Sequence, residues 1–313
     1  MTAAKYFVAF LLAASTACAA HGALHRKAVE LNLAGIAHLK EGDFKAARAA
    51  FILALEYNED FSEAYNNLGV VSLREGDLEA AADFFSQAIE LNPDFAEAWN
   101  NIGVVAMRTG EAGEARTCFE TALQSNPGHV EARLNLAKIL LEGGDADGCE
   151  MEVLKVLEQQ PGRLEARLLL AAVRMEQDDF VRAQDVLEDA LEDSPGSAEG
   201  WLLLAVLHLG LDREEEAKAA LAQADLLAPD ETLWVRMGLA HASAGNHERA
   251  AVYFRKTLEE NPLDPYASAG LVLQAAAVGL EGELAKSCAH YLSLGTDVSK
   301  EASLACKTVP PVE

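Results

Sequence analysis

Apolar residues recur at helical spacing along most of this 313-residue chain, and the stretch from residue 61 to 73 shows the pattern clearly. There Tyr65, Leu68 and Ser72 follow one another three and four residues apart, which places them on one face of a helix. Gly76 comes shortly after this stretch, and glycine takes the left-handed conformation that commonly ends a helix. The pattern therefore predicts an amphipathic helix that stops before Gly76.

A second helix is predicted directly after that turn. Ala81, Phe85 and Ala88 are spaced four and three residues apart, so the small side chains let the first helix approach while the ring fills the remaining space. Pro93 cannot continue a helix and biases Asn92 away from the helical region, so the chain must turn there. The segment is therefore expected to form a hairpin of two helices.

This hairpin repeats with a period of 34 residues. The residues that return at this spacing form four series, namely Gly35, Gly69 and Gly103; Ala47, Ala81 and Ala115; Phe51, Phe85 and Phe119; and Pro93, Pro127, Pro161, Pro195 and Pro229. Pro262 comes one residue early, which indicates a single deletion. Because one hairpin cannot cover its own apolar stripe, neighbouring hairpins must stack into a continuous array.

Residues 96–128 carry the fullest form of the repeat. They combine a large residue and a glycine in the first helix with small, aromatic and proline positions afterwards, at Trp99, Gly103, Ala115, Phe119, Ala122 and Pro127. This block resembles a tetratricopeptide repeat. The resemblance implies an all-α fold, a right-handed superhelical solenoid of antiparallel helix pairs, over about residues 28–293. It is looser where alanine replaces the glycine, at Ala137, Ala171 and Ala205.

In this register seven repeats occupy residues 28–264. They begin near Ala28, Ser62, Ala96, Val130, Leu164, Ala198 and Glu231. Residues 265–294 are predicted to form a degenerate repeat with a capping helix, and residues 295–313 a C-terminal tail. The array is expected to be one continuous domain.

Residues 1–20 have the composition of an export signal. Lys5 precedes an apolar run over residues 6–14, which is too short to span a bilayer, and small residues follow. Two outcomes stay open: Ala17-Cys18-Ala19 fits ordinary signal cleavage, whereas residues 15–18 resemble a lipoprotein box in which Cys18 carries the lipid. Both place the protein outside the cytoplasm, either in the periplasm or lipid-anchored to the bacterial envelope.

Composition narrows the class of partner. The chain has 25 basic and 50 acidic residues, and its net charge of −25 repels phosphate backbones and anionic lipid surfaces. We therefore expect no nucleic-acid partner, and a membrane contact only through lipid on Cys18. A hydrophobic content of 50% with only 6% aromatic residues favours packed helices over sandwiches or barrels.

The other cysteines fall into two groups. Cys288 and Cys306 are close in the sequence near the C-terminus, so they are the preferred disulfide pair in an oxidising compartment. Cys118 and Cys149 occupy small, helix-facing positions and are expected to be buried thiols.

The histidines and carboxylates offer no catalytic or metal-binding pattern. His38, His208 and His241 share one repeat position, and equivalent residues of adjacent stacked repeats lie about 8–10 Å apart, too far to share a metal. The sequence contains no motif of a hydrolase, a metalloprotease or a nucleotide-binding loop. We therefore expect no enzymatic activity, no cofactor, no metal and no small-molecule substrate.

The resemblance also implies a partner-binding groove, formed in that family by positions two, five, six, nine and thirteen of the first helix of each repeat. The candidate groove residues are Glu97 and Glu131 at position two; Asn66 and Asn100 at position five; Asn67, Asn101 and Asn135 at position six; Lys138 at position nine; and Arg74 and Arg108 at position thirteen. The amides are expected to hold the backbone of an extended peptide. Because they are predicted to face solvent, their replacement is expected to change stability little.

Position six continues as Leu169 and Leu203, so the polar row is expected to give way to an apolar one. Some family members clamp a partner's C-terminal carboxylate with a lysine at position five and an asparagine at position nine. Here position five holds asparagine and position nine is largely aliphatic. The expected partner is therefore a protein or peptide segment that is neutral to basic and partly apolar.

The expected function is that of an interaction scaffold or adaptor in the bacterial cell envelope. Two alternatives stay open on sequence alone. One is a repeat lipoprotein that assists pilus or secretion-system assembly, and the other is a regulatory subunit of an envelope enzyme.

Overall fold

A computed structural model describes residues 25–296 and 298–307, and these residues contain helices and no strand. The chain divides into two compact units with the boundary after Gly148. The first unit contains α1 (residues 25–40), α2 (Phe44–Tyr57), α3 (Ser62–Glu75), α4 (Leu78–Leu91), α5 (Ala96–Thr109), α6 (Ala112–Ser125) and α7 (Val130–Glu142). Helix α8 (Ala146–Gln159) begins just before the boundary.

The second unit continues the alternation of first and second helices. It contains α9 (Leu164–Glu176), α10 (Phe180–Asp193), α11 (Ala198–Gly210), α12 (Glu214–Leu226), α13 (Glu231–Ser243), α14 (His247–Glu260), α15 (Pro265–Val278), α16 (Glu281–Ser293) and α17 (Lys300–Lys307). Within each unit the two helices of a hairpin pack together, and first helices also contact the next first helix. The expected all-α array of antiparallel helix pairs is confirmed.

The turns between paired helices form as the sequence predicts. Gly76 follows α3 with φ +84°, and Gly110 follows α5 with the same value, so both take the left-handed conformation. The Asp77 carboxylate then accepts a hydrogen bond from the Ala80 N–H at 3.0 Å, which caps the start of α4. A glycine and an acidic cap together therefore reverse the chain in few residues.

Small and large side chains are matched across each hairpin. A Cβ on Gly69 would lie 2.5 Å from the Phe85 ring, and a Cβ on Gly103 would lie 2.5 Å from the Phe119 ring, so only glycine fits. In α11 the equivalent residue is Ala205, and the ring position in α12 is filled by the smaller Leu221, with both side chains fully buried. The loss of glycine in the fourth to sixth repeats is therefore accompanied by the loss of the ring, and both return in the seventh repeat as Gly238 and Phe254.

The C-terminal tail expected over 295–313 is corrected for residues 300–307, which form α17. Cys306 in this helix forms a disulfide with Cys288 in α16, with the Cα atoms 5.3 Å apart. Ala302 is fully buried and packs with Tyr291 in the same apolar cluster. No repeat signal marks this helix in the sequence, because a short helix held by a disulfide and a few small residues needs no periodic stripe. The expected signal segment, with Cys18, and residues 308–313 lie outside the described residues.

Candidate partner-binding face

The candidate groove residues lie on the first helices of the hairpins. We call the surface formed by positions two, five, six, nine and thirteen of these helices the inner face, and describe it separately for each unit. In the first unit it runs along α1, α3, α5 and α7. Successive first helices contact one another there, so equivalent positions come into register.

The asparagines of the first unit form hydrogen bonds from each repeat to the one before it. In each bond a position-six amide nitrogen donates to a position-five amide oxygen, and we call this series the amide ladder. Its bonds are Asn67 Nδ2 to Asn32 Oδ1 at 2.9 Å, Asn101 Nδ2 to Asn66 Oδ1 at 2.9 Å, and Asn135 Nδ2 to Asn100 Oδ1 at 3.0 Å. The ladder therefore joins four consecutive first helices.

The ladder corrects two sequence-based expectations. Asn66 and Asn100 are each only 7% exposed, so they are buried acceptors rather than free groove amides. Asn67, Asn101 and Asn135 are half-buried and committed to bonds between repeats, so their replacement must affect stability as well as binding. Within the described chain the side-chain carbonyl oxygens of Asn67 and Asn135 accept no hydrogen bond, whereas that of Asn101 lies 3.4 Å from Asn100 Nδ2, which donates to it.

The charged candidates differ in how freely they can meet a partner. Glu97 and Arg74 are exposed, and neither forms an ion pair within the part of the chain described. Arg108 is exposed but donates to the Leu73 carbonyl at 3.3 Å, which satisfies the end of the preceding first helix. Glu131 is exposed with an oxygen 3.8 Å from the His129 ring nitrogen.

Lys138, the candidate at position nine, is half-buried and engaged in an interaction with the chain. It is therefore less free than its sequence position suggested. The accessible charges of this inner face are the glutamates at position two and the basic residues Lys40, Arg74 and Arg108 at position thirteen. A segment lying along this face would therefore meet a row of negative charge beside a row of positive charge.

The inner face of the second unit exposes large apolar side chains. Val206 in α11 is 39% exposed, Leu239 in α13 is 50% exposed and Tyr266 in α15 is 60% exposed. Leu169 is half-buried, whereas Leu203 is only 8% exposed and belongs to the core. The apolar row predicted at position six is therefore wrong for Leu203, and the exposed apolar side chains of this face lie at positions two and nine.

A polar network in the second unit was not found from sequence. The Asp225 carboxylate accepts hydrogen bonds from Tyr253 Oη at 2.5 Å, Arg249 Nε at 2.9 Å and His241 Nε2 at 3.2 Å. Burial pushes the pKa of Asp225 upward, but the bonds from Tyr253 and its other partners hold that pKa below its usual value. Burial lowers the pKa of His241, so the ring is neutral and donates to the carboxylate.

This network has a structural role. Its members come from α12, α13 and α14, and the His241 and Tyr253 rings stack with centroids 5.7 Å apart. Burial likewise lowers the pKa of His208, which is 8% exposed at the equivalent position in α11. No group of three or more metal-binding side chains exists among the described residues. The sequence does contain a signal for this network, because Asp225 lies near the end of α12, directly before the helix that carries His241.

Two further features bear on chemistry. Cys118 and Cys149 are free and buried, and burial raises the pKa of the Cys118 thiol to about 11, which keeps it protonated. Over residues 25–296 and 298–307, the helices are too short or too polar to cross a bilayer.

Comparison with known proteins identifies similar sequences and structures. Models of the tetratricopeptide repeat match residues 32–94 and 232–262, and a model of the middle TPR-like domain of cilia and flagella-associated protein 70 matches residues 74–228. No curated protein sequence matches the chain.

Several solved structures share the fold at low sequence identity. A tetratricopeptide repeat protein from Parabacteroides merdae is 20% identical over 75% of this chain and 94% of its own, with a TM-score of 0.63. PilF of Pseudomonas aeruginosa is 19% identical over 66% of this chain and 94% of its own, with a TM-score of 0.59. The type IV pilus biogenesis factor PilW is 21% identical over 63% of this chain and 91% of its own, with a TM-score of 0.57.

Proposed function

We propose that this chain, which belongs to the tetratricopeptide-repeat proteins, is a non-catalytic interaction scaffold that binds an extended segment of a partner protein along its inner faces. The observation that carries the proposal is the row of exposed apolar side chains in the second unit, at Val206, Leu239 and Tyr266. Contiguous apolar surface on a soluble protein is commonly a binding surface. The fold is typical of protein-interaction scaffolds and supplies no catalytic centre by itself.

The two inner faces favour different stretches of a partner. In the first unit, Glu97 and the other exposed glutamates carry negative charge. The side-chain oxygens of Asn67 and Asn135 are free to accept hydrogen bonds. They favour a segment that brings N–H donors and basic side chains. In the second unit the apolar row favours aliphatic or aromatic side chains. The partner segment is therefore basic in one part and apolar in another.

The test uses matched substitutions in the full chain. After crosslinking in the native organism has identified a partner, its capture is measured with Leu239→Glu on the inner face and with Val181→Glu on a second helix, where Val181 is 74% exposed. We expect the first change to abolish capture and the second to leave it unchanged. A parallel pair, Glu97→Lys and the exposed second-helix change Asp83→Lys, tests the first unit in the same way. Equal effects within both pairs would refute the inner-face assignment.

We also propose a place for this scaffold in the bacterial envelope. The support is the N-terminal sequence, in which Lys5 and the apolar run over residues 6–14 have the form of an export signal. A second candidate function is a lipoprotein that assists pilus or secretion-system assembly. It is favoured by Cys18 in a lipoprotein-like context and by the structural likeness to PilF and PilW.

Mass spectrometry of the mature N-terminus distinguishes these alternatives. A diacylglyceryl group on Cys18 supports the lipoprotein, whereas a free terminus at Ala20 or nearby removes it. An intact Met1 terminus would refute export through this segment altogether. A Cys18→Ala variant, fractionated in parallel, should lose membrane association only if the cysteine carries the lipid.

A further inference from the structure

In most of the hairpins the fourth residue of the first helix makes the same side-chain hydrogen bond. Its side-chain N–H donates to the carbonyl of the proline that precedes the helix, so a large side chain fills the corner between hairpins. These bonds are Trp99 to Pro93 at 2.8 Å, Arg133 to Pro127, Arg167 to Pro161 at 2.8 Å, Trp201 to Pro195 at 3.0 Å, and Trp234 to Pro229 at 2.8 Å.

The hairpin of α15 and α16 departs from this rule. Its fourth residue is Ser268, and the preceding proline is Pro262. A serine side chain is too short to span the corner, and within the described chain the Pro262 carbonyl accepts no hydrogen bond. Ser268 is 1% exposed and its hydroxyl is buried without a partner. A buried polar group is normally paired, so this corner is incomplete.

A slot of about 350 Å³ lies at this corner, which is within the size range of small-ligand pockets. Its wall includes Leu258, Pro262, Ser268, Leu271, Lys286 and His290. A second buried polar atom, the Nε2 of His290, also has no hydrogen-bond partner there. The slot therefore combines apolar walls with unpaired polar atoms.

The preceding hairpin shows what fits such a corner. There the Trp234 ring fills the fourth position, and the Lys256 ammonium lies 5.6 Å from the ring centroid. His290 is the residue of α16 that corresponds to Lys256, since both follow the fourth position by 22 residues. His290 and Lys286 thus border the place that an aromatic ring would occupy.

We propose that this slot binds the indole side chain of a tryptophan from a partner protein. The ring would pack between Leu258 and Leu271, and its N–H would donate to the Pro262 carbonyl, as the Trp234 N–H does to Pro229. Arginine, which donates to the proline carbonyl from this position in two other hairpins, is disfavoured because Lys286 lines the slot and pairs with no acidic group in the described residues. Glu283, the acidic residue that also lines the slot, is already paired with Arg255. This site is independent of the inner-face proposal.

The first test measures binding of small probes to the full chain by saturation-transfer NMR and calorimetry. Indole and N-acetyl-tryptophanamide should bind, and benzofuran, which has the same shape without the N–H, should bind about tenfold more weakly because the Pro262 carbonyl stays unpaired. Equal binding of benzofuran, or no binding of indole at millimolar concentration, overturns the proposal. If indole binds and N-acetyl-tryptophanamide does not, the proposal that the slot takes a tryptophan side chain of a partner is wrong, and the slot is a site for a free small aromatic molecule.

The second test fills the slot from within the chain. Ser268→Trp should raise the thermal midpoint and abolish indole binding, since it supplies the missing ring. Ser243→Trp, at an exposed serine at the end of α13, is the matched control and should do neither. Ser268→Ala removes a hydroxyl that has no partner, so it should keep both the fold and indole binding. If Ser268→Trp does not fold, the Ser268→Ala variant with indole and benzofuran still decides the question. Loss of indole binding on Ser268→Ala would overturn the assignment.

Discussion

Replacing Asn101 by alanine should destabilise the first unit more than its half-buried position suggests. The change removes the donor to the Asn66 oxygen, and Asn66 is only 7% exposed. Leaving a buried acceptor unpaired costs about 1–3 kcal/mol, and the better helix propensity of alanine returns up to about 0.7 kcal/mol. We therefore expect a net loss of about 1–2 kcal/mol in the free energy of unfolding.

A double-mutant cycle isolates the bond itself. Asn66→Ala removes the acceptor and leaves the half-buried Asn101 amide, which water can still reach, so it should cost less than Asn101→Ala. The double variant removes both partners and should be no less stable than Asn101→Ala alone. The two residues should thus show a coupling energy of about 0.5 kcal/mol or more.

Urea unfolding followed by circular dichroism gives the free energies. Repeat arrays do not always unfold in one step, so hydrogen exchange of α3 and α5 should report the same losses locally. Gln124→Ala removes an exposed amide of α6 that has no hydrogen-bond partner among the described residues, and should stay within about 0.5 kcal/mol of the parent. If Asn101→Ala behaves like this control, or if the two single changes simply add, the ladder does not stabilise the array.

Three further outcomes follow from the fold. Gly103→Ala should cost about 1–3 kcal/mol because its Cβ meets the Phe119 ring at 2.5 Å, and adding Phe119→Leu should recover much of the loss. Burial lowers the pKa of His241 in the folded chain, so as the pH falls the unfolded chain takes up a proton on this histidine before the folded chain does. The free energy of unfolding should therefore fall as pH drops below about 6.5, by at most about 1.4 kcal/mol per pH unit for one proton. His241→Gln should flatten this dependence. Replacing Cys288 and Cys306 by alanine opens a loop with a sequence separation of 18 and should cost about 3 kcal/mol.

Each of these outcomes has a measurement that can contradict it. The glycine prediction fails if urea midpoints show Gly103→Ala to be neutral or Phe119→Leu to deepen the loss. The pH prediction fails if thermal midpoints of the parent and the His241 variant decline in parallel between pH 7.5 and 5. The disulfide prediction is contradicted if reduction and the double alanine change leave the midpoint and the hydrogen exchange of α17 unaltered.

Sequence periodicity predicted the hairpins well because the features that define them are local. Gly76 ends a helix through its own backbone freedom, and Phe85 meets a glycine at a fixed distance along the same hairpin. The burial of Asn66 was not predictable in this way. Its repeat position can be read from the sequence, but only the approach of the next repeat shows that Asn101 donates to it and that it is buried.

The same distinction explains the other departures. Helix α17 has no repeat signal, since it is held by Cys306 and by packing against α15 and α16 rather than by a periodic stripe. The exception at Ser268 was visible in the sequence as a small residue at a position that elsewhere holds leucine, tyrosine, tryptophan or arginine. It becomes informative only when the proline carbonyl and the wall of the slot are seen beside it.

The amide ladder has a consequence for how such a chain can change in length over generations. Asn67 now donates to Asn32, and Asn101 donates to Asn66, through the same pair of positions. An in-frame loss of residues 62–95 would set Asn101 against Asn32 and restore the same bond across the junction. Gene duplication or deletion of the second or third repeat can therefore change the number of repeats and keep the buried asparagine acceptors paired, whereas a change of another length in this part of the chain would move the amides out of register. Changes in the length of this part of the array are therefore expected to come in steps of 34 residues.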